Sequence, residues 1–153
     1  EHIFPLILQK RPEAKFWIAG NMDGAPRHLF DLNKHPSIRV FGFVENLRDL
    51  YEKASVFVVP LRQGGGTRIK ILEASTYYKP IVSTSVGAEG LEFQHGRNIM
   101  IADEPERFSD ACCELLNDIE KGRLLGEAAQ ELVKQKYLWS QLENRFRRIL
   151  FSS

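Results

Sequence analysis

Within Ser55 to Pro60, a segment that reads as a strand, the run Val56-Phe57-Val58-Val59 has no polar residue in it, and Pro60 closes it. A strand with one face in water alternates apolar and polar side chains. A strand this uniformly apolar needs cover on both faces. A parallel sheet held between two layers of helices meets that need. The rest of the chain repeats the theme: Lys15 to Gly20, Ile38 to Val44, Pro80 to Thr84 and, more weakly, Asn98 to Ala102 read as further strands. Between them run helical spacings of three and four residues, first Leu47, Leu50, Tyr51 and Ala54, then Ile69, Leu72, Glu73 and Thr76. The last third reads as helix throughout: Phe108, Ala111, Cys112, Leu115, Leu116 and Ile119, then Leu125, Ala128, Ala129 and Leu132, then Leu142, Phe146, Ile149 and Leu150. Gly122 reads as the break between the first two of these helices. Strands alternating with helices imply an α/β domain with a parallel sheet and helices on both faces. Ligands of such sheets sit at the carboxyl ends of the strands.

Charge narrows the ligand. The 21 basic and 20 acidic side chains leave a net charge of +1. A binder of nucleic-acid backbone needs a clear basic surplus, so nucleic acid is not expected as a partner. A small anion needs only a local positive site. Cys112 and Cys113 are neighbours and poorly placed to bond each other, so no disulfide framework is expected, and Cys112 reads as core. His2, His28, His35 and His95 lack metal-ligand spacing. No signal peptide and no apolar run of spanning length is visible, so a cytoplasmic location is expected.

The segment that carries chemistry follows Pro60: Leu61-Arg62-Gln63-Gly64-Gly65-Gly66-Thr67-Arg68-Ile69-Lys70-Ile71-Leu72-Glu73-Ala74. Here a strand ends, three glycines follow, and a helix is expected to begin near Thr67. Glycines let backbone approach a ligand closely. A helix start offers free N–H groups and about half a positive charge. Thr67 can cap that helix. Arg68 and Lys70 add charge of the sign that the helix dipole disfavours, so something must offset it; a bound anion is one such group. A plain strand-to-helix turn with surface cations fits the same residues. The segment is neither a Walker phosphate loop nor a dinucleotide G-x-G-x-x-G turn. Glu73 can accept two ribose hydroxyls, or it can pair with Lys70 on a solvated face.

Gly65-Gly66-Thr67-Arg68-Ile69-Lys70-Ile71-Leu72-Glu73-Ala74, Lys79-Pro80-Ile81-Val82-Ser83-Thr84 and Gly87-Ala88-Glu89-Gly90-Leu91 together resemble the carboxyl-terminal domain of the group 1 (family 4) glycosyltransferases, which have the two-domain GT-B architecture. Weaker matches follow the same order: Phe16 to Gly20, Val40 to Val44, Leu50 to Pro60 and Tyr137 to Ser140. The resemblance implies a Rossmann-like, nucleotide-sugar-binding domain spanning residues 1–153 as one half of a larger enzyme, without that half's first strand. It implies that Glu73 binds ribose hydroxyls, that Gly64, Gly65, Gly66, Thr67 and Arg68 meet the diphosphate and sugar, and that Phe43 and Val44 meet the base. Lys70 is a further cation for the diphosphate. No metal or other cofactor is expected, and no catalytic residue is assigned. The family often carries a second glutamate where this chain has Gly65.

Three readings stay open: the donor half of a retaining hexosyl transferase, as in cell-surface polysaccharide assembly; a sugar-nucleotide epimerase; and a non-catalytic interaction module, which Gly65 favours. A chain lacking the central strand is expected to close its neighbours directly on each other, or to gain cover from another chain. The apolar stripe of Leu142, Phe146, Ile149 and Leu150 suits such self-association. The isolated chain is expected not to catalyse transfer, and association of the parent with a membrane through another domain stays open.

Overall fold

The computed structural model describes residues 2–21, 23–24, 31–64, 66 and 68–138. In order the elements are α1 (Ile3–Lys10), β1 (Phe16–Ala19), a 3-10 turn (Leu32–Lys34), β2 (Ile38–Gly42), α2 (Arg48–Lys53), β3 (Phe57–Val59), α3 (Ile69–Thr76), β4 (Ile81–Ser83), α4 (Ser85–Ala88), β5 (Met100–Ile101), α5 (Pro105–Asn117) and α6 (Ile119–Lys136). Every ladder is parallel. β1 pairs with β2, and β3, β4 and β5 pair in that order.

Strand periodicity divides the core in two, as the apolar run around β3 demands. Val82 of β4 points to one side, where Ile7, Phe108, Cys112 and Leu115 from α1 and α5 enclose it. Its neighbour Ile81 points to the other side, among Tyr51, Ile71, Ala74, Ala129 and Val133 from α2, α3 and α6. Val56 and Val58 join the first cluster, Phe57 and Val59 the second. Helices therefore cover both faces, as expected. Burying a side chain such as Phe108 completely contributes about 1.5–3 kcal/mol, and Phe108, Ile71, Ile81, Val82 and Ile99 are all buried to that degree.

Three readings need correction. α3 starts at Ile69, not near Thr67, with Arg68 in the cap position and no side-chain cap bond. Its buried stripe is Ile71, Ala74 and Ser75, while Ile69 is 62% exposed. α5 and α6 break at Asp118, whose carboxylate accepts from the Lys121 amide and caps α6. Gly122 lies inside α6, packed near Pro80. The stripe from Leu142 to Leu150 and the pair Trp139-Ser140 lie outside the described residues.

β1 and β3 do not close on each other. Between them runs a groove of about 730 Å³, lined by β1 and the residues flanking it, by Val56 to Val58, and by Tyr51, Lys70 and Glu73. The facing edges of β1 and β3 form no ladder with each other.

Candidate functional site

Where β3 ends, the chain must turn from Pro60 into α3. Gly64 and Gly66 lie at φ +139° and +89°, backbone that a side chain would strain, which is why glycines occupy this loop. Gly65 and Thr67, two of the expected contacts, lie outside the described residues.

Arg68 is placed differently from a free phosphate contact. Its side chain is only 7% exposed. One guanidinium nitrogen donates to the Gly64 carbonyl at 2.9 Å, and the same nitrogen stands 3.5 Å from the Glu89 carboxylate. Arg68 thus clasps the glycine loop onto itself and leans on the turn after α4. Glu89 supplies part of the anionic offset that a cation at a helix start requires. Lys70, by contrast, is exposed and lines the groove.

Glu73 is half-buried at the same groove, one turn into α3. Tyr51 lines the same groove. Burial, with the Glu73 charge beside it, raises the Tyr51 hydroxyl far above the ordinary tyrosine range and keeps it protonated as a donor. Phe43, just past β2, is 77% exposed, and Val44 is half-buried. Neither lines the groove with Lys70 and Glu73.

The ends of β3 and β4 are tied together behind the loop. The Thr84 hydroxyl donates to the Leu61 carbonyl and accepts from the Gly87 amide at 3.0 Å. The Ser83 hydroxyl donates to the Thr84 carbonyl at 2.9 Å. Asp103 accepts from both the amide and the hydroxyl of Ser85. These hydroxyls satisfy buried backbone groups and hold the loop's root rigid. Sequence reasoning missed Tyr51, Glu89 and Thr84 as site-shaping residues. Tyr51 read as helical spacing, Thr84 read as the end of a strand, and the segment holding Glu89 entered only through resemblance. Among the described residues no group of three or more His, Cys, Asp or Glu side chains is arranged to hold a metal ion.

Chemically, the groove offers the Lys70 ammonium as a cation and the Glu73 carboxylate as a hydrogen-bond acceptor. The model of the family described as "Glycosyl transferases group 1" matches residues 1–118. The chain belongs to that family. It is 25% identical over 143 residues to an uncharacterised 44.6 kDa protein of the cps region of Klebsiella pneumoniae, covering 88% of this chain and 36% of that protein. It is 31% identical over 97 residues to the GDP-mannose-dependent α-(1-6)-phosphatidylinositol monomannoside mannosyltransferase of Mycobacterium tuberculosis, covering 58% of this chain and 25% of the enzyme. The fold matches HepE of Anabaena, solved in complex with UDP, with a TM-score of 0.85 at 15% identity, over 99% of this chain and 44% of that one. The chain therefore spans less than half the length of these relatives. Its fold is the Rossmann-like half of the GT-B architecture.

Proposed function

We propose that this chain is the donor-binding half of a retaining glycosyltransferase that moves a hexose from a nucleoside diphosphate sugar to an acceptor. In this reading the diphosphate lies against the loop from Gly64 to Arg68, with Gly65, Gly66 and Thr67 contributing backbone and hydroxyl donors and Lys70 the nearest exposed charge. Arg68 acts by holding the loop in shape. Glu73 takes the ribose hydroxyls, and Phe43 and Val44 flank the base. The observation that carries the reading is Glu73: a half-buried carboxylate on the first turns of α3, directly behind a glycine loop at the end of a parallel strand. Family membership and the UDP bound by HepE support it.

The chemistry asked of this half is stabilisation of a departing nucleoside diphosphate. Fixed backbone donors and a nearby cation do that without reorganising as charge develops. No metal is required in this reading. The acceptor hydroxyl must be held within about 3–3.5 Å of the sugar's reacting carbon, and that is the task of the other half of the enzyme. The isolated chain is accordingly proposed to bind nucleotide weakly and to transfer nothing.

Glu73→Gln in the full-length enzyme tests the assignment. Calorimetry with UDP and GDP should show a loss of about 1–3 kcal/mol for whichever nucleotide binds, the range for hydrogen bonds to a charged group. Unchanged affinity and turnover would remove Glu73 from the site. Gly65, at the position where a second carboxylate is common, keeps a non-catalytic reading in play. Incubating the full-length protein with labelled nucleotide sugars separates transfer, epimerisation and neither.

A further inference from the structure

Resting on the placement of a diphosphate against the loop from Gly64 to Arg68, we infer that Glu89 is a positioning residue for that anion: it holds the Arg68 guanidinium in place, and the guanidinium holds the loop. Arg68 stands at the N-cap of α3 with its side chain buried, where the helix dipole disfavours a cation. A buried charge needs partners. One guanidinium nitrogen donates to the Gly64 carbonyl at 2.9 Å and stands 3.5 Å from the Glu89 carboxylate. The carbonyl is neutral; the carboxylate brings the opposite charge. Gly64, at φ +139°, has no side chain of its own to fix its conformation, so the bond from Arg68 joins one end of the loop to the other.

The backbone that carries Glu89 is fixed on both sides. Before it, α4 is seated on the ends of β3 and β4. The Thr84 hydroxyl caps that helix by accepting from the Gly87 amide, and Asp103 accepts from the Ser85 amide. Gly87 fits so closely that a Cβ there would lie 2.8 Å from the carbonyl oxygen of Val59, the last residue of the strand that leads into the loop. After it, Gly90 turns the chain at φ +79°. The Leu91 amide donates to the Ala88 carbonyl at 3.2 Å, and the Glu92 amide donates to the Tyr137 hydroxyl at 2.7 Å. The Glu89 side chain itself is 73% exposed, so packing does not call for a glutamate; its charge is what the turn offers to Arg68. Two effects on an anionic ligand then have opposite signs. A carboxylate near a phosphate site repels the ligand, so as a bystander it would oppose binding. A residue that holds the loop in shape favours binding, because the loop's freedom is lost before the ligand arrives.

Glu89→Gln in the full-length enzyme separates the two, because it removes the charge and keeps the shape. The probes are UDP and GDP, titrated by calorimetry. For the nucleotide that binds the wild type, affinity should fall about 3- to 5-fold, the upper end for an ion pair with one exposed member. Glu89→Asp, which keeps the charge on a shorter arm, should lose less. In an Arg68→Gln background the same Glu89→Gln change should cost nothing further, since the two residues act as one unit. If Arg68→Gln does not fold, the direction of the Glu89→Gln change and its recovery in Glu89→Asp decide alone. Tighter or unchanged binding in Glu89→Gln, or an equal loss with and without Arg68, would overturn the role of Glu89 and leave the donor site standing. A wild-type enzyme that binds neither nucleotide would overturn both.

Discussion

Gly126→Ala sets two well-characterised effects against each other. Gly126 is a buried residue inside α6, and replacing a helical glycine by alanine favours the helix by roughly 1 kcal/mol. Packing opposes it. A Cβ at this position would lie 2.7 Å from the carbonyl carbon of Tyr78 and closer still to its oxygen. Carbon atoms prefer about 3.5–4.0 Å, so α6 must retreat on the order of 1 Å. Tyr78 cannot yield easily, because it already holds a non-glycine φ of +56° and its amide donates to the Ser75 carbonyl. The retreat would also lift Leu125, Ala129 and Val133 from the core. Overpacking of this kind costs about 1–3 kcal/mol, and a backbone obstacle belongs at the upper end. The net expectation is a loss of about 1–2 kcal/mol, or roughly 2–8 °C in Tm for a chain of this size. Gly122→Ala is the internal control. Its nearest neighbour would be the Pro80 ring at 3.4 Å, an ordinary contact, so propensity should win and stability should hold or rise. Urea and thermal unfolding of both variants decide. A Gly126→Ala protein as stable as the wild type, or two variants that behave alike, would refute the packing argument.

Three further outcomes follow from buried polar groups and from the site. Ser109 is fully buried and its hydroxyl finds no hydrogen-bond partner among the described residues; Ser109→Ala should raise stability by about 1 kcal/mol in urea unfolding, and a loss of that size would reveal a partner. Burial, then the neighbouring Cys113, pushes the Cys112 thiol from about 9 up to about 12. The folded state therefore holds its proton longer than the unfolded one, so this group's contribution is complete below pH 9 and declines as pH rises towards 12, by at most ~1.4 kcal/mol per pH unit; a Cys112→Ala variant should show a shallower alkaline decline in denaturation midpoint. Glu73→Gln should weaken nucleotide binding while leaving the melting temperature within a degree or two, since Glu73 faces the groove; a large drop in Tm would mark it as structural.

What the sequence made legible depended on how locally each feature is encoded. β1 and β3 lie inside the expected segments Lys15 to Gly20 and Ser55 to Pro60, because uninterrupted apolar runs need no distant information. Each ladder is shorter than its run: Asn98 to Ala102 yields only Met100–Ile101, as hydrophobicity continues past the last paired residue. The stripe of α3 was misread because Ser75 counts as polar, yet its hydroxyl donates to the Ile71 carbonyl at 2.8 Å and so enters the core. Gly122 was taken for a helix break because glycine disfavours helices, while the true signal was the capping carboxylate of Asp118. In the candidate site, the glycine loop and Glu73 were visible as spacing and resemblance. The meeting of Arg68 with Glu89 was not, because it joins elements that only the tertiary fold brings together.

The groove between β1 and β3 also has a consequence for how the molecule opens. The amides of Trp17 to Ala19 and Ile38 to Gly42 belong to a two-stranded ladder that shares no backbone hydrogen bond with β3–β4–β5. α1 packs on α5 and is tied to it by the Lys10–Asp110 ion pair and the hydrogen bond from Arg11 to Asn117. Two-stranded units have little stability of their own, and proteins open in cooperative units that follow such seams. In native-state hydrogen exchange the β1–β2 amides should lose protection first, at a free energy below that of global unfolding, while Val82 and Met100 report the last part of the chain to open.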